Sequence, residues 1–194
     1  MSDRIAGFVV DLHRCTGCNA CVLACRLEHG LASVGAWRRV IPLNDARHPA
    51  GPTYFLSVAC HHCERPACER SCPTRAYEQR PDGIVVHREE RCIGCRYCEM
   101  ACPFGAPRFD DYRGVMTKCQ FCVERIDSGE APACVAACPT SALRTIGDAA
   151  AGDLAVIPGF ADPAACKPAV RFKPPRGIRG ARLAEFLGSA AKRP

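Results

Sequence analysis

The sequence predicts an α+β fold built from short strands, short helices and long loops. Two observations support this prediction. Sixteen of the seventeen cysteines fall into four groups spread along the 194 residues. So high a cysteine content indicates that the fold is stabilised through its cysteines. The segments rich in β-branched and aromatic residues are short, and most of them run into a cysteine group.

Five segments are predicted as strands, and four of them lead into a cysteine group: Ile5–Leu12, Tyr54–Ala59, Ile84–His87, Val115–Lys118 and Leu143–Ile146. Two segments are predicted as short helices that carry the last cysteines of a group, Ala20–His29 and Pro132–Ala137. Pro81-Asp82-Gly83 is a turn signal, so a hairpin is expected between the second and third groups.

The four groups share one pattern, in which the last two cysteines are separated by three residues. They are Cys15-x2-Cys18-x2-Cys21-x3-Cys25, Cys60-x2-Cys63-x4-Cys68-x3-Cys72, Cys92-x2-Cys95-x2-Cys98-x3-Cys102 and Cys119-x2-Cys122-x11-Cys134-x3-Cys138. Proline follows the last cysteine in three groups, where it turns the chain away, and Arg26 takes that place in the first.

This spacing is that of bacterial ferredoxins, in which three close thiolates hold one [4Fe–4S] cluster and the fourth cysteine reaches another. Two residues between ligands allow a tight loop to aim three sulfurs at one cube. The final three-residue step is about one helical turn, so the fourth sulfur points away. Four complete groups therefore predict four [4Fe–4S] clusters.

The exchange of fourth ligands predicts which cysteines share a cluster. Groups two and three give two sets: Cys60, Cys63, Cys68 and Cys102, and Cys92, Cys95, Cys98 and Cys72. By elimination, groups one and four give two more: Cys15, Cys18, Cys21 and Cys138, and Cys119, Cys122, Cys134 and Cys25. The implied topology is two nested bacterial-ferredoxin-like units.

The outer unit is predicted to comprise residues 1–50 plus 105–150, and the inner unit residues 51–104. Residues 151–194 form a basic, Pro-rich C-terminal tail. Lys167–Pro194 carries eight basic residues and one acidic residue, whereas residues 1–166 have a net charge of −1. The tail is either a solvated end or a segment that contacts a partner. A nucleic-acid role is not indicated, because neither interleaved aromatic residues nor a known binding motif accompanies the positive charge.

Zinc and disulfides are the competing explanations for so many cysteines. Structural zinc uses paired C-x2-C knuckles, and the fourth group is the one that most resembles such a site. A disulfide scaffold requires a secretory context, and no signal-peptide pattern or membrane-spanning apolar run occurs in the sequence. With few large apolar runs, the chain is expected to need its metal in order to fold.

Some residues near the groups are not assigned as ligands. Cys166 is expected to be an unligated thiol, and His61 and His62 to be spacers. Trp37, Arg38 and Arg39 are expected to pack within a long loop or to contact a partner. Six apolar or aromatic residues are expected to shield the clusters: Ile93, Tyr97, Phe104, Phe121, Val123 and Val135. No catalytic residues are identified, so the chain is predicted to move electrons without transforming a substrate.

The sequence resembles the iron-sulfur subunits of molybdopterin oxidoreductases of the dimethyl sulfoxide reductase type. The resemblance covers residues 5–147 and rests on CTGCNACVLAC, CHHCERPACERSCPT, CIGCRYCEMACPFGAP and KCQFCVERIDSGEAPACVAACPTSAL. Some members replace one cysteine of the third group by tryptophan and hold a [3Fe–4S] cluster there. Cys95 is present here, so four [4Fe–4S] clusters are expected.

The resemblance implies that the chain relays electrons between a large molybdopterin catalytic subunit and an integral membrane, quinone-reactive anchor subunit. It implies a position peripheral to the cytoplasmic membrane, held there by these partners, on the cytoplasmic face or carried to the periplasm. The substrate class implied is a small sulfur compound. Two alternatives stay open: an electron-transfer partner of a hydrogenase or carbon monoxide dehydrogenase, and a free electron carrier.

Overall fold

The computed structural model describes residues 6–31, 35–43, 53–148 and 163–175. The strands are β1 (Phe8–Asp11), β2 (Arg39–Leu43), β3 (Tyr54–Val58), β4 (Tyr77–Gln79), β5 (Val85–His87), β6 (Arg108–Asp110), β7 (Val115–Thr117), β8 (Leu143–Thr145) and β9 (Val170–Lys173). The α-helices are α1 (Ala20–Glu28), α2 (Ala67–Arg70), α3 (Tyr97–Ala101), α4 (Val123–Asp127), α5 (Ala133–Ala136) and α6 (Pro163–Cys166). These short elements confirm the predicted α+β composition.

A three-stranded sheet joins the beginning of the described chain to its end, in the order β8-β1-β9. The central strand β1 pairs antiparallel with β8, where Val9 faces Arg144, and parallel with β9, where Val9 faces Arg171. All four residues of β1 are buried. The sheet therefore holds the flanks of the first and fourth cysteine groups together.

Three antiparallel hairpins complete the strand pairing: β2 with β3, β4 with β5, and β6 with β7. The hairpin of β4 and β5 is the one predicted between the second and third groups. Asp82 stabilises its turn, because its carboxylate accepts the Ile84 N–H at 3.0 Å. Each cysteine group is thus preceded by a strand, namely β1, β3, β5 or β7.

Two helices end in the same hydrogen-bonded cap. In α1 the N–H of Gly30 bonds the carbonyl of Leu27, and the N–H of Leu31 bonds that of Arg26. Gly30 has φ +59°, which is the left-handed conformation that this Schellman cap requires. Helix α4 ends in the same way at Gly129, with φ +78°.

The helices pack in pairs that combine different cysteine groups. Helix α1 packs on α5, and α2 packs on α3. The first pair combines groups one and four, and the second combines groups two and three. This pairing brings together the groups that the sequence predicted to exchange ligands.

The apolar core is divided into three clusters, and each of them includes cysteines. The largest contains residues of the three-stranded sheet together with Phe121, Cys21 and Cys134. The second surrounds Trp37 and includes Cys25, and the third surrounds Tyr77. Cysteine side chains are therefore part of the apolar core, and a group bound to them would contribute to its packing.

Residues 163–175, which belong to the predicted C-terminal tail, pack against the rest of the protein. Strand β9 pairs with β1 along its length, and the N–H groups of Glu64 and Arg65 bond to the carbonyls of Lys167 and Cys166. This segment packs on its own chain because it supplies an edge strand to the sheet. Residues 149–162 and 176–194 lie outside the described ranges.

Candidate cluster-binding sites

Short helices carry the ligands near the end of each cysteine group. Helix α1 holds both Cys21 and Cys25, as predicted, and α5 holds Cys134. Helices α2 and α3, which were not predicted, hold Cys68 and Cys98. In the second, third and fourth groups the last cysteine follows its helix, so it is free to turn toward another site.

The loop that begins each group has one repeated backbone feature. The second residue after the first cysteine has a positive φ in all four groups: Gly17 at 73°, His62 at 43°, Gly94 at 70° and Phe121 at 60°. This bend directs a backbone N–H toward the first sulfur. The N–H of His62 lies 3.5 Å from Cys60 Sγ, and the N–H of Phe121 lies 3.5 Å from Cys119 Sγ.

The first cavity is surrounded by four cysteines, which we call the Cys15 quartet: Cys15, Cys18, Cys21 and Cys138. Val10, Val40 and Leu143 form part of its apolar wall. Three cysteines come from group one and the fourth from the end of group four, 113 residues further along the sequence than Cys25. Cys138, which was predicted to be the fourth ligand of this set, therefore lies beside the other three cysteines.

A second cavity is surrounded by the Cys60 quartet: Cys60, Cys63, Cys68 and Cys102. Here three cysteines come from group two and the fourth from group three. Burial raises the pKa of Cys63, and charges at neighbouring cysteines, including Cys60 and Cys102, raise it further. Burial also raises the pKa of Cys68 to about 12, with contributions from Cys60 and Cys102, although nearby Lys118 opposes the shift.

Cys166 also lines the second cavity, and it is only 3% exposed. It lies near Cys63 and Cys102. Burial is the main reason that the pKa values of these two cysteines are raised, and a charge on Cys166 would raise them further. The sequence suggested a thiol near a tail. The structure instead buries this thiol beside the Cys60 quartet, because α6 and β9 fold back onto the rest of the protein.

The remaining eight cysteines of the four groups were predicted to form two further sets. The Cys119 quartet comprises Cys119, Cys122, Cys134 and Cys25. Burial raises the pKa of Cys122 to about 11, to which nearby Cys134 and Cys25 contribute. The Cys92 quartet comprises Cys92, Cys95, Cys98 and Cys72, of which Cys92 and Cys72 lie close to Cys98. Cys95 is half-buried in the loop between Cys92 and Cys98.

Several hydrogen bonds converge on the sulfurs of Cys72 and Cys138. The Thr74 hydroxyl lies 3.5 Å from Cys72 Sγ, and the Ala76 N–H donates to it at 3.2 Å. The Thr140 hydroxyl lies 3.8 Å from Cys138 Sγ. Although burial opposes the effect, these bonds lower the pKa of both cysteines. The repeated Cys-Pro-Thr sequence was the signal that could have identified both threonines.

The donor set fits an iron-sulfur cluster. Thiolates are the ligands of [4Fe–4S] clusters, and each quartet supplies four sulfurs. Because burial raises the pKa of most of these thiols, the charge of bound iron is needed to hold them deprotonated. No three His, Cys, Asp or Glu side chains of the described residues are arranged to hold a single metal ion.

The predicted spacers and shielding residues have mixed outcomes. His61 and His62 are buried, and burial with nearby Arg38 and Arg39 lowers the pKa of His61 to about 3. Phe121 is buried in the core, as expected. Ile93 and Tyr97, which were also expected to shield the clusters, are 66% and 53% exposed.

Sequence reasoning did not place three buried residues near the quartets: Arg38, Tyr77 and Lys118. Arg38 was expected to pack in a loop or to contact a partner. It packs in the loop before β2, is 2% exposed and has cysteines of two quartets close to it. Lys118 is 1% exposed and lines the Cys60 cavity. Its position directly before Cys119 was visible in the sequence, whereas nothing in the sequence distinguished Arg38.

Comparisons with known proteins agree with this donor set. The family model of the 4Fe-4S dicluster domain matches residues 52–148, and that of a 4Fe-4S binding domain matches residues 12–29. None of the helices in the described ranges has the length and apolar character needed to cross a membrane.

Three relatives are components of named oxidoreductases. A component of the anaerobic dimethyl sulfoxide reductase of Escherichia coli K12 is 45% identical over 145 residues, 71% of each protein. The formate dehydrogenase iron-sulfur subunit of Wolinella succinogenes is 40% identical over 70% of this chain and 78% of its own. A component of the sulfite dehydrogenase of Allochromatium vinosum is 36% identical over 72% of this chain and 67% of its own. The protein therefore belongs to the electron-transferring iron-sulfur subunits of the dimethyl sulfoxide reductase-type molybdopterin oxidoreductase family.

Proposed function

We propose that this protein is a non-catalytic relay that carries electrons through four [4Fe–4S] clusters between a molybdopterin catalytic subunit and a quinone-reactive membrane anchor. The observation that carries the proposal is the meeting of cysteines from distant groups. Cys138 lies with group one and Cys102 with group two, as ligand exchange between paired clusters requires.

Each quartet is proposed to hold one cluster. The packing of α1 on α5 supports an outer unit of residues 1–50 plus 105–150, and that of α2 on α3 supports an inner unit of residues 51–104. The strand pair β1–β8 closes the outer unit, because it joins the approach to group one to the exit from group four. The inner unit is then inserted between the two halves of the outer one.

The quartets are proposed to form a single path. Cys134 of the Cys119 quartet lies near Cys21 of the Cys15 quartet. Cys60 lies near Cys119, which connects the inner and outer units. Tyr77 lies near Cys68 and Cys98, between the last two quartets. The order that follows is the Cys15, Cys119, Cys60 and Cys92 quartets.

Each part of this protein has a definite task in such a relay. When bound, a [4Fe–4S] cluster accepts and releases one electron. The quartets hold it in place, while buried side chains such as Phe121 and Leu143 exclude water. Backbone N–H groups and the Thr74 and Thr140 hydroxyls are directed at the ligand sulfurs, where hydrogen bonds help to set the reduction potential.

Exposed apolar side chains lie at both ends of the proposed path. Near the Cys92 quartet, Ile93, Met100 and Tyr112 are 66%, 74% and 91% exposed. On α1, beside the Cys15 and Cys119 quartets, Leu23 and Leu27 are 58% and 73% exposed. Large apolar side chains in water favour association, so we propose that one partner covers each end. The partners then hold the protein at the cytoplasmic membrane, on either face.

The proposed substrate class of the complex is a small sulfur compound. The named relatives include components of a dimethyl sulfoxide reductase and of a sulfite dehydrogenase, as well as of a formate dehydrogenase. These relatives favour a molybdopterin partner over a hydrogenase or carbon monoxide dehydrogenase. The residues of this protein do not contact the substrate in the proposed arrangement, so the chemistry belongs to the partner.

The test is to isolate the native complex under anaerobic conditions and to measure what accompanies this protein. We expect molybdenum, a large subunit, a membrane subunit and four clusters per chain. Nickel without molybdenum would support the hydrogenase or carbon monoxide dehydrogenase alternative. A monomer with a full set of clusters and no partner would contradict the relay and support a free electron carrier.

A further inference from the structure

Arg38 is a permanently charged side chain in the interior of this protein. It precedes β2 in a loop and is 2% exposed. A guanidinium group stays protonated under all conditions in which proteins fold. Because burying such a charge is costly unless opposite charge or polar groups surround it, its surroundings indicate what it serves.

The contacts of Arg38 lead to one quartet directly. Its Nη1 donates a hydrogen bond to Ser57 Oγ at 3.0 Å. Ser57 Oγ in turn lies 3.5 Å from the sulfur of Cys21, in the Cys15 quartet. The Phe8 ring lies beneath the guanidinium, with its centroid 4.3 Å from Cζ, and this stacking fixes the plane of the group.

The Arg38 guanidinium is also close to cysteines of the other outer quartet, and Cys134 is a side-chain hydrogen-bond partner of it. Burial opposes the charge of Arg38, but the pKa is raised because Cys134, Cys119 and Cys21 lie close to it. Cys134 and Cys119 belong to the Cys119 quartet and Cys21 to the Cys15 quartet. The cation thus lies at the junction of two proposed cluster sites.

We propose that Arg38 is a positioning residue that acts as a fixed cation shared by the Cys15 and Cys119 quartets and raises the reduction potentials of both clusters. This inference rests on the proposed ligand sets. A nearby positive charge favours the form that carries one more electron, and the effect is strong where water is excluded. Since one charge acts on two neighbouring sites, it raises both without opening a large energy step between them.

Lys118 provides a matched comparison elsewhere in the molecule. It is the other buried cation near a quartet, among the described residues, and it is 1% exposed. Its Nζ donates to the carbonyl oxygens of Val85 and Cys119, the latter at 2.9 Å, and it lines the cavity of the Cys60 quartet. Its charge should therefore act mainly on the Cys60 site.

The experiment compares Arg38→Met, Arg38→Gln, Arg38→Lys and Lys118→Met in the assembled complex. Redox titration followed by electron paramagnetic resonance gives the potential of each cluster. We expect Arg38→Met and Arg38→Gln each to lower the reduction potentials of two clusters. For each cluster the equilibrium constant of reduction should fall at least tenfold, which corresponds to about 59 mV for one electron. Arg38→Lys should restore most of the loss. Lys118→Met should lower a different potential.

Several results would overturn the proposal. These are unchanged potentials, a shift of one cluster alone, or equal shifts of all four in the neutral variants. Arg38→Gln keeps a donor for Ser57, so loss of iron in both neutral variants would show that Arg38 serves cluster assembly instead. Fewer than four clusters in the unmodified complex would contradict the proposed ligand sets. Because this result is measured without any change at Arg38, it can be told apart from a result that contradicts the proposed role of Arg38.

Discussion

Individual sulfurs differ in their surroundings, even within one proposed quartet. At Cys72 and Cys138, hydrogen bonds from threonine hydroxyls and backbone N–H groups outweigh burial and lower the pKa. At Cys98 and Cys15, which are assigned to the same two quartets, burial raises the pKa. The thiolate form is thus favoured by the protein's own hydrogen bonds at one sulfur of a quartet and needs bound iron at another.

Ligand exchange can be tested with cysteines that are neighbours in sequence. Cys98 and Cys102 are separated by three residues, yet they are assigned to the Cys92 and Cys60 quartets. We expect Cys98→Ala and Cys72→Ala to remove or alter the same paramagnetic signal, and Cys102→Ala to affect another one. Each change should lower the iron content by about a quarter, because one of four clusters loses a ligand.

Cys166→Ala is the control for these variants, since it removes a thiol in the Cys60 cavity without removing an assigned ligand. All four signals and the full iron content should remain. If Cys98→Ala and Cys102→Ala alter one common signal, the clusters are bound within each sequence group and the exchanged ligand sets are wrong.

At the scale of the structural element, the loop of group three depends on a glycine. Gly94 has φ +70°, and a Cβ placed on it would lie 2.5 Å from the carbonyl oxygen of Gly114, in the turn between β6 and β7. A real Cβ does not approach a backbone oxygen so closely, and this oxygen is held by a hairpin. The loop that carries Cys92 and Cys95 would have to move away from the hairpin.

Gly94→Ala is therefore expected to lower thermal stability and to reduce occupancy of the Cys92 quartet, measured as iron content and as loss of one paramagnetic signal. Gly129→Ala is the matched control. Gly129 has φ +78°, but no atom lies within 4 Å of its added Cβ. It should cost about 1 kcal/mol for the left-handed backbone and leave the iron content unchanged. Equal iron loss in both variants would contradict this account.

At the scale of the whole molecule, the short elements leave little stability without metal. In the described ranges the longest helix has nine residues and the longest strands have five. All three core clusters contain cysteines, so metal-free quartets would leave gaps in each. Small cores of this kind need a metal or a similar staple to fold.

Metal-free protein, prepared by expression under iron starvation, is accordingly expected to lose its cooperative thermal transition and most of its far-ultraviolet circular dichroism. Binding the clusters and folding the polypeptide are then one process. Reconstitution with iron and sulfide should restore both signals together. A metal-free protein that unfolds cooperatively, with native secondary structure, would show that the apolar core is sufficient by itself.

The local elements were largely predictable because their signals are local. The predicted strand Tyr54–Ala59 is observed as Tyr54–Val58, and the predicted helix Ala20–His29 as Ala20–Glu28. Strands β2, β6 and β9 were not predicted, and β4 was predicted only as part of a hairpin with β5. The left-handed conformations of His62 and Phe121 were also unpredictable, because only the required direction of an N–H explains them.

The sequence by itself determined the chemistry of this protein. The spacing of sixteen cysteines reflects how far a short loop can reach, and it identifies cluster binding and family without any tertiary information. Tertiary structure alone placed Cys166 in the Cys60 cavity and buried Arg38 near cysteines of two quartets. Those positions depend on contacts between segments far apart in the sequence, and a local pattern of residues carries no record of such contacts.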